Sequence, residues 1–275
     1  MVDLIRTDLK RALKDKLFLV LCIIGVAFAL STPLLYKGLF TLLEVETGTI
    51  EEMEMMGLGM SAKSMFFSSF SLSNNFGLIL PVLVAIILCK DFSHGTIRNK
   101  VICGKSRASI YFSLLSTCAM LICGLIMVHA ALTLGVSLVF FDYQAADFTA
   151  SDFGYLMASL GMELLVFLMV SALLMLFIVR MKNAGLAIVM YFVVSFAFMI
   201  VGSITQVVAF FLDTDTVAYE ILEVFNKANV FASTAIGAGT EYELGDVLCI
   251  VLPNVAITVG LVALGYLSFR KKDLK

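Results

Sequence analysis

Tryptophan is absent from the 275 residues, proline occurs three times, histidine twice, and only 15% of the chain is charged. Water-soluble domains are about a quarter charged, so this scarcity excludes an ordinary soluble globular protein. The two histidines, His94 and His129, lie far apart and no HExxH stretch occurs, which removes that zinc-enzyme arrangement. No Gly-x-x-x-x-Gly-Lys-Ser/Thr loop occurs either, so the chain cannot hold ATP in the P-loop manner. No pair among the six cysteines has zinc-ligand spacing. Five of them sit in or at the end of apolar runs, and Cys103 lies in a basic cluster; all read as small hydrophobes, not as a disulfide framework. What is abundant is apolar: 61% of residues are hydrophobic and the mean hydropathy is +1.02.

Long apolar runs between short charged clusters define an all-α, polytopic membrane protein, because about 20 apolar residues cross a bilayer as a helix. Six transmembrane helices are expected, at about 17–36, 72–90, 108–141, 153–179, 184–212 and 246–269. Residues 1–16 alternate acids and bases and do not read as a signal peptide. Sixteen of the nineteen basic residues fall in 1–16, 90–107, 180–183 and 270–275, against five acids there. The other connecting segments hold three bases against fifteen acids. The positive-inside rule therefore places both termini in the cytoplasm of a multi-pass plasma-membrane protein. Tyr36, Tyr143, Tyr155 and Tyr266, near span ends, supply an interfacial aromatic belt. No solenoid repeat or Gly/Ser-rich linker divides the chain, so 1–275 reads as a single transmembrane domain.

The segments between spans carry their own patterns. In 1–16, Leu4, Ile5, Leu9, Ala12 and Leu13 recur at helical spacing, as in an amphipathic helix on the inner membrane surface. In the loop 91–107, Gly95 can break the helix leaving the membrane and Thr96 can cap a new short one. That helix would present Ile97, Val101 and Ile102 on one face beside Arg98, Asn99 and Lys100, and Gly104 would end it. An apolar anchor rimmed by charge suits a partner's groove.

Asp91-Phe92-Ser93-His94-Gly95-Thr96-Ile97-Arg98-Asn99-Lys100 resembles the acidic-x-x-x-Gly-Thr-hydrophobic-Arg segment that follows the second span of ABC-2 type permeases. Many members of that family have Glu where this chain has Asp91. The resemblance covers about ten residues as a motif and the whole chain in topology. It implies a type V exporter-like fold with an N-terminal amphipathic helix and a long outer loop after the first span. It also implies that 91–107 docks on a separate ATP-hydrolysing subunit, with Asp91, Gly95, Thr96, Ile97, Arg98 and Lys100 forming the coupling element. ATP and Mg would then be bound by that partner, two copies of which would serve a homodimer, or a heterodimer with a second permease. Small bacterial members that export cytolytic peptides or confer bacteriocin immunity are the most similar.

The outer segments 38–71 and 213–245 are longer than connectors need to be. The first is acidic, with methionines at 53, 55, 56, 60 and 65 that suit varied apolar contacts or a packed cap. The second contains Tyr219 to Phe225, alternating apolar and acidic faces, which resembles the surface helix before the family's last span. Inside the spans, Glu163 stands out, since an ionisable group at that depth costs roughly 2.5–3.5 kcal/mol. With His129 and Asn254 it is a candidate for the substrate pathway, or for interhelical hydrogen bonding. Asn254 follows Pro253 and can satisfy backbone groups that the proline frees.

Three classes of function meet these observations. The foremost is a permease subunit of an ATP-driven exporter of hydrophobic or amphipathic cargo, with antimicrobial or cytolytic peptides implied by the resemblance. A secondary transporter could use Glu163 and His129 as a proton relay. A membrane enzyme lacks clustered nucleophiles or paired acids, so no catalytic residue, metal ligand or bound cofactor is expected. Membrane lipids are expected partners and nucleic acid is not.

Overall fold

The computed structural model describes residues 1–43, 62–69, 76–93, 95–140, 150–181, 183–213, 215–229, 231 and 244–271. Among them are ten helices and no strand: α1 (Val2–Leu13), α2 (Lys16–Leu43), α3 (Ala62–Ser68), α4 (Phe76–Ser93), α5 (Thr96–Ile102), α6 (Arg107–Phe140), α7 (Ala150–Met181), α8 (Ala184–Phe210), α9 (Val217–Ala228) and α10 (Leu244–Lys271). Five of these, α2, α6, α7, α8 and α10, are long and apolar enough to cross a membrane. The protein is an all-helical chain with several candidate spans. The expected span at 72–90 corresponds to α4, whose 18 residues end on Lys90, Asp91, Phe92 and Ser93. At 1.5 Å per residue the 18 described residues of α4 extend about 27 Å, against a hydrocarbon core about 30 Å thick.

The helices are apolar on nearly every side, so packing selects which of them lies inside. That helix is α7: 72% of its apolar window is buried, against 11% for α8 and 17% for α2 and α10. It packs against α4, α6, α8 and α10. Phe167, Val170, Leu174 and Ile178 of α7 join Leu83 and Leu88 of α4 and Ile110, Leu114 and Ile122 of α6 in the main core. A smaller cluster sets Met162, Val166 and Met169 of α7 against Ile250 of α10. By contrast Val193, Phe196, Ile200, Ile204 and Val207 of α8 are exposed.

Glycine sets one close approach in this packing. A Cβ on Gly265 of α10 would fall 2.4 Å from Tyr111 Oη. The Tyr111 ring is fully buried and sits edge-on to Phe112 and Tyr266, with Phe269 tilted beside it. Tyr266, near the end of α10, stacks on Phe112.

Helix ends agree with the sequence to within a few residues, with two differences. α2 continues to Leu43, so the first residues of the expected outer segment are helical. Thr96 does not cap α5: Gly95 is its N-cap residue, in the left-handed region at φ 67°, and Thr96 is the first helical residue. Gly104, at φ 79°, turns the chain after α5. Both conformations favour glycine because it lacks a Cβ.

Candidate docking loop and its charge cluster

One end of the bundle gathers most of the charged residues among those described. α1 lies there against α6, and its buried face is Leu4, Asp8 and Ala12, spaced four residues apart. An acid therefore occupies the centre of the face expected to be apolar, while Leu13 is half exposed. Lys100 of α5 accounts for this: its Nζ donates to Asp8 Oδ1 at 2.6 Å and to Oδ2 at 2.8 Å. Ser113 Oγ of α6 donates to Asp8 Oδ2 at 3.0 Å. Arg11 Nη2 lies 3.4 Å from Asp8 Oδ1 and forms an ion pair with Asp91 of α4. Lys100 Nζ is also 3.6 Å from Asp91 Oδ2.

Two acids and two bases thus form a neutral cluster joining α1, α4, α5 and α6. Asp8 is 2% exposed and Asp91 1%. Charges this deep are tolerated because each has an opposite partner, and removing one partner leaves the other uncompensated. Burial pushes the Asp91 carboxyl above its ordinary range, opposed by Arg11 and Lys100 and reinforced by Asp8. Nearby, Lys90 Nζ bonds both oxygens of Asp15, at 2.7 and 2.5 Å, and this bond leads in lowering the Asp15 carboxyl below its usual range. A cavity of about 300 Å³ lies between these groups, lined by Arg11, Asp15, Lys90, Asp91 and Thr96.

Of the expected coupling residues, Asp91 and Lys100 meet in this cluster and Thr96 lines the adjoining cavity. Ile97 does not face outward as expected: it is 2% exposed and belongs to the main core. The turn geometry set by Gly95 directs Ile97 and Lys100 inward, one on apolar neighbours and the other on acids. Arg98 and Asn99 are exposed, and the apolar residue α5 presents is Ile102, at 71% exposure. Sequence reasoning missed Asp8, Arg11 and Ser113. The signal available was an acid at the centre of an apolar helical face, which calls for a basic partner.

The three intramembrane candidates separate. His129 of α6 lines an apolar groove between α1, α2 and α6. Glu163 is 1% exposed on the central helix, with no hydrogen-bond partner for Oε2 among the described residues. Asn254 is a brace: its Nδ2 donates to Ile250 O at 2.7 Å and to Ala228 O, at the end of α9, at 3.1 Å. The carbonyl that Pro253 leaves unpaired in an α-helix is that of residue 249, so Asn254 does not take the expected role.

The bundle's opposite end holds α9, which buries none of its residues completely. Besides Asn254, Lys227 secures it through Asp246 of α10 at 2.6 Å, and Asn229 Nδ2 through Phe198 O of α8 at 2.8 Å. The Asp246 hydrogen bond leads in raising the Lys227 ammonium above its ordinary range, with Glu223 adding to it. Of the outer methionines, Met65 is buried in α3, where its sulfur accepts from Ser137 Oγ at 3.4 Å. Met53, Met55, Met56 and Met60 lie outside the described residues.

None of the six cysteines is in a disulfide, and no group of three potential metal ligands occurs among the described residues. Comparison with models of known protein families, with curated proteins and with solved structures finds no match for this chain.

Proposed function

We propose that this chain is the membrane-spanning permease subunit of an ATP-binding cassette exporter of the ABC-2 type. In this reading it has six spans and both termini in the cytoplasm, and ATP is hydrolysed by a separate subunit. The permease dimerises, two ATPase copies dock on its α5 segments, and the cargo is a hydrophobic or amphipathic peptide. The observation that carries the reading is the two-sided character of α5. Outward it offers Arg98, Asn99 and Ile102, an apolar anchor with charge beside it. Inward, Ile97 and Lys100 bind it to α1, α4 and α6, so a push on the outer side is delivered to the spans. Alternating access needs such a rigid connection between the ATPase and the moving helices.

The test is co-purification of an ATPase with the tagged chain from its native membrane. The double substitution Arg98→Glu/Ile102→Asp changes exposed residues, so folding should shift by no more than about 1 kcal/mol in all. Partner retention and ATP-driven transport should each fall at least tenfold. Full retention and transport in this variant would remove α5 as the docking element. Proton-driven transport by the chain alone in liposomes would favour a secondary transporter instead.

A further inference from the structure

The groove beside the N-terminal helix has the shape and chemistry of a lipid site. Its walls are Cys22 and Val26 of α2 and Gly124 and Val128 of α6, and Leu9 and Leu13 of α1 close one end. The volume is about 370 Å³, within the range of small-ligand sites. Both walls belong to candidate spans whose outer faces are exposed and apolar, among them Ile23, Met120 and Met127, so the opening faces hydrocarbon. Nothing lies within 4 Å of a Cβ built on Gly124, which keeps that wall low.

The end closed by α1 carries the charge. Arg6 and Lys10 are exposed and lie one row around the helix from Leu9 and Leu13, outside the buried ion-pair cluster. A molecule whose chain fills the groove therefore brings its polar end to two cations. Basic residues on an amphipathic helix attract anionic lipid.

We infer that the groove between α1, α2 and α6 binds one acyl chain of an anionic phospholipid, with its phosphate headgroup held by Arg6 and Lys10. The site belongs to the leaflet facing the charged end of the bundle. It holds α1 beside α2 and α6 through the lipid, as Asp8 holds it through Lys100 and Ser113. The inference needs the helices to lie in a bilayer but does not depend on ATP-driven transport, so either can fail without the other.

The probes are nanodiscs of phosphatidylglycerol or of phosphatidylcholine, followed by detergent extraction and native mass spectrometry of the protein with its retained lipid. Wild-type protein should keep one more phosphatidylglycerol per chain than the Gly124→Leu variant, whose side chain fills the groove. The Arg6→Gln/Lys10→Gln variant should keep the chain site but lose preference for phosphatidylglycerol over phosphatidylcholine, by roughly fivefold for each charge. Equal retention of both lipids by the wild type overturns the proposal, and that arm needs no substitution. Unchanged lipid number in a folded Gly124→Leu variant overturns it too. A shift from dimer to monomer at constant lipid number would mean that a second copy of the chain covers the groove.

Discussion

Lys100 holds two carboxylates that water barely reaches, so its loss and theirs have unequal consequences. Lys100→Met keeps the aliphatic stem but leaves Asp8 without its closest cation. Breaking a buried pair from one side costs about 3–5 kcal/mol, which should appear as a large drop in melting temperature in detergent. Asp91→Asn removes a charge that burial disfavours and leaves no base stranded, because Lys100 keeps Asp8 and Arg11 is partly in water, so at neutral pH it should be neutral or mildly stabilising. The sign follows from linkage: with a raised folded pKa, the wild type gains stability as pH falls through that value. The advantage of Asp91→Asn should therefore close on acidification. Asp15 behaves oppositely, because its lowered pKa gives stability above the ordinary carboxylate range that is lost as pH falls. Asp15→Asn should be less stable than wild type at neutral pH, and that gap should also close in acid. Melting curves of the three proteins from about pH 3 to 7 check both signs. Glu163 is a different kind of buried acid, since Oε2 has no hydrogen bond among the described residues. Removing a buried oxygen that lacks a partner forfeits no hydrogen bond at that atom and ends its desolvation cost. Glu163→Met should keep or raise the melting temperature; lost transport with an intact fold would place the carboxyl on the cargo route, and intact transport would take it off.

At the scale of elements, local pattern and distant partners divide what the sequence discloses. The positions of α2, α6, α7, α8 and α10 are legible because a span is a local property: about 20 apolar residues in a row and charge at the ends. The loop of α5 is legible as a helix between two glycines for the same reason. Which side of α5 faces inward is not, because it depends on Asp8, 92 residues away, and on the apolar surface of α4 and α6. The burial of Asp8 is illegible in the same way, since Ser113 lies 105 residues further on. The contact of α6 with α10 also joins distant residues, and it yields a direct test. Gly265→Ala places a methyl group against the buried Tyr111 hydroxyl, in a ring cluster that leaves little room to move. Overpacking of this kind costs about 1–3 kcal/mol. Tyr111→Phe removes the clashing oxygen, so the Gly265→Ala/Tyr111→Phe double variant should recover much of the loss. A double variant no more stable than Gly265→Ala alone would show that the hydroxyl is not what limits the approach.

For the whole molecule, the described contacts bring α1 and the last turn of α10 to the same end of the bundle. α1 is tied to α5 and α6 through Asp8, and Arg107 at the start of α6 donates to Arg270 O near the end of α10 at 2.6 Å. A chain whose ends share a side has crossed an even number of times. Five helices among the described residues meet the length and apolarity of a span, and the proposed topology adds α4 as a sixth crossing. α4 ends on that same side, since its last residues, Lys90 and Asp91, are tied to α1 at the charged end. In the proposed topology that end, with its excess of basic residues, is the cytoplasmic one by the positive-inside rule. Cys103, exposed just after α5, and Glu220, exposed on α9, then lie on opposite sides of the membrane. In cells carrying Glu220→Cys, a membrane-impermeant maleimide should label position 220 from outside and leave Cys103 untouched until the membrane is opened. Labelling of Cys103 in intact cells would reverse the orientation and put α5 beyond the reach of any cytoplasmic ATPase. The exporter reading would fall with it, while the lipid groove, which depends only on helices in a bilayer, would stand in the opposite leaflet.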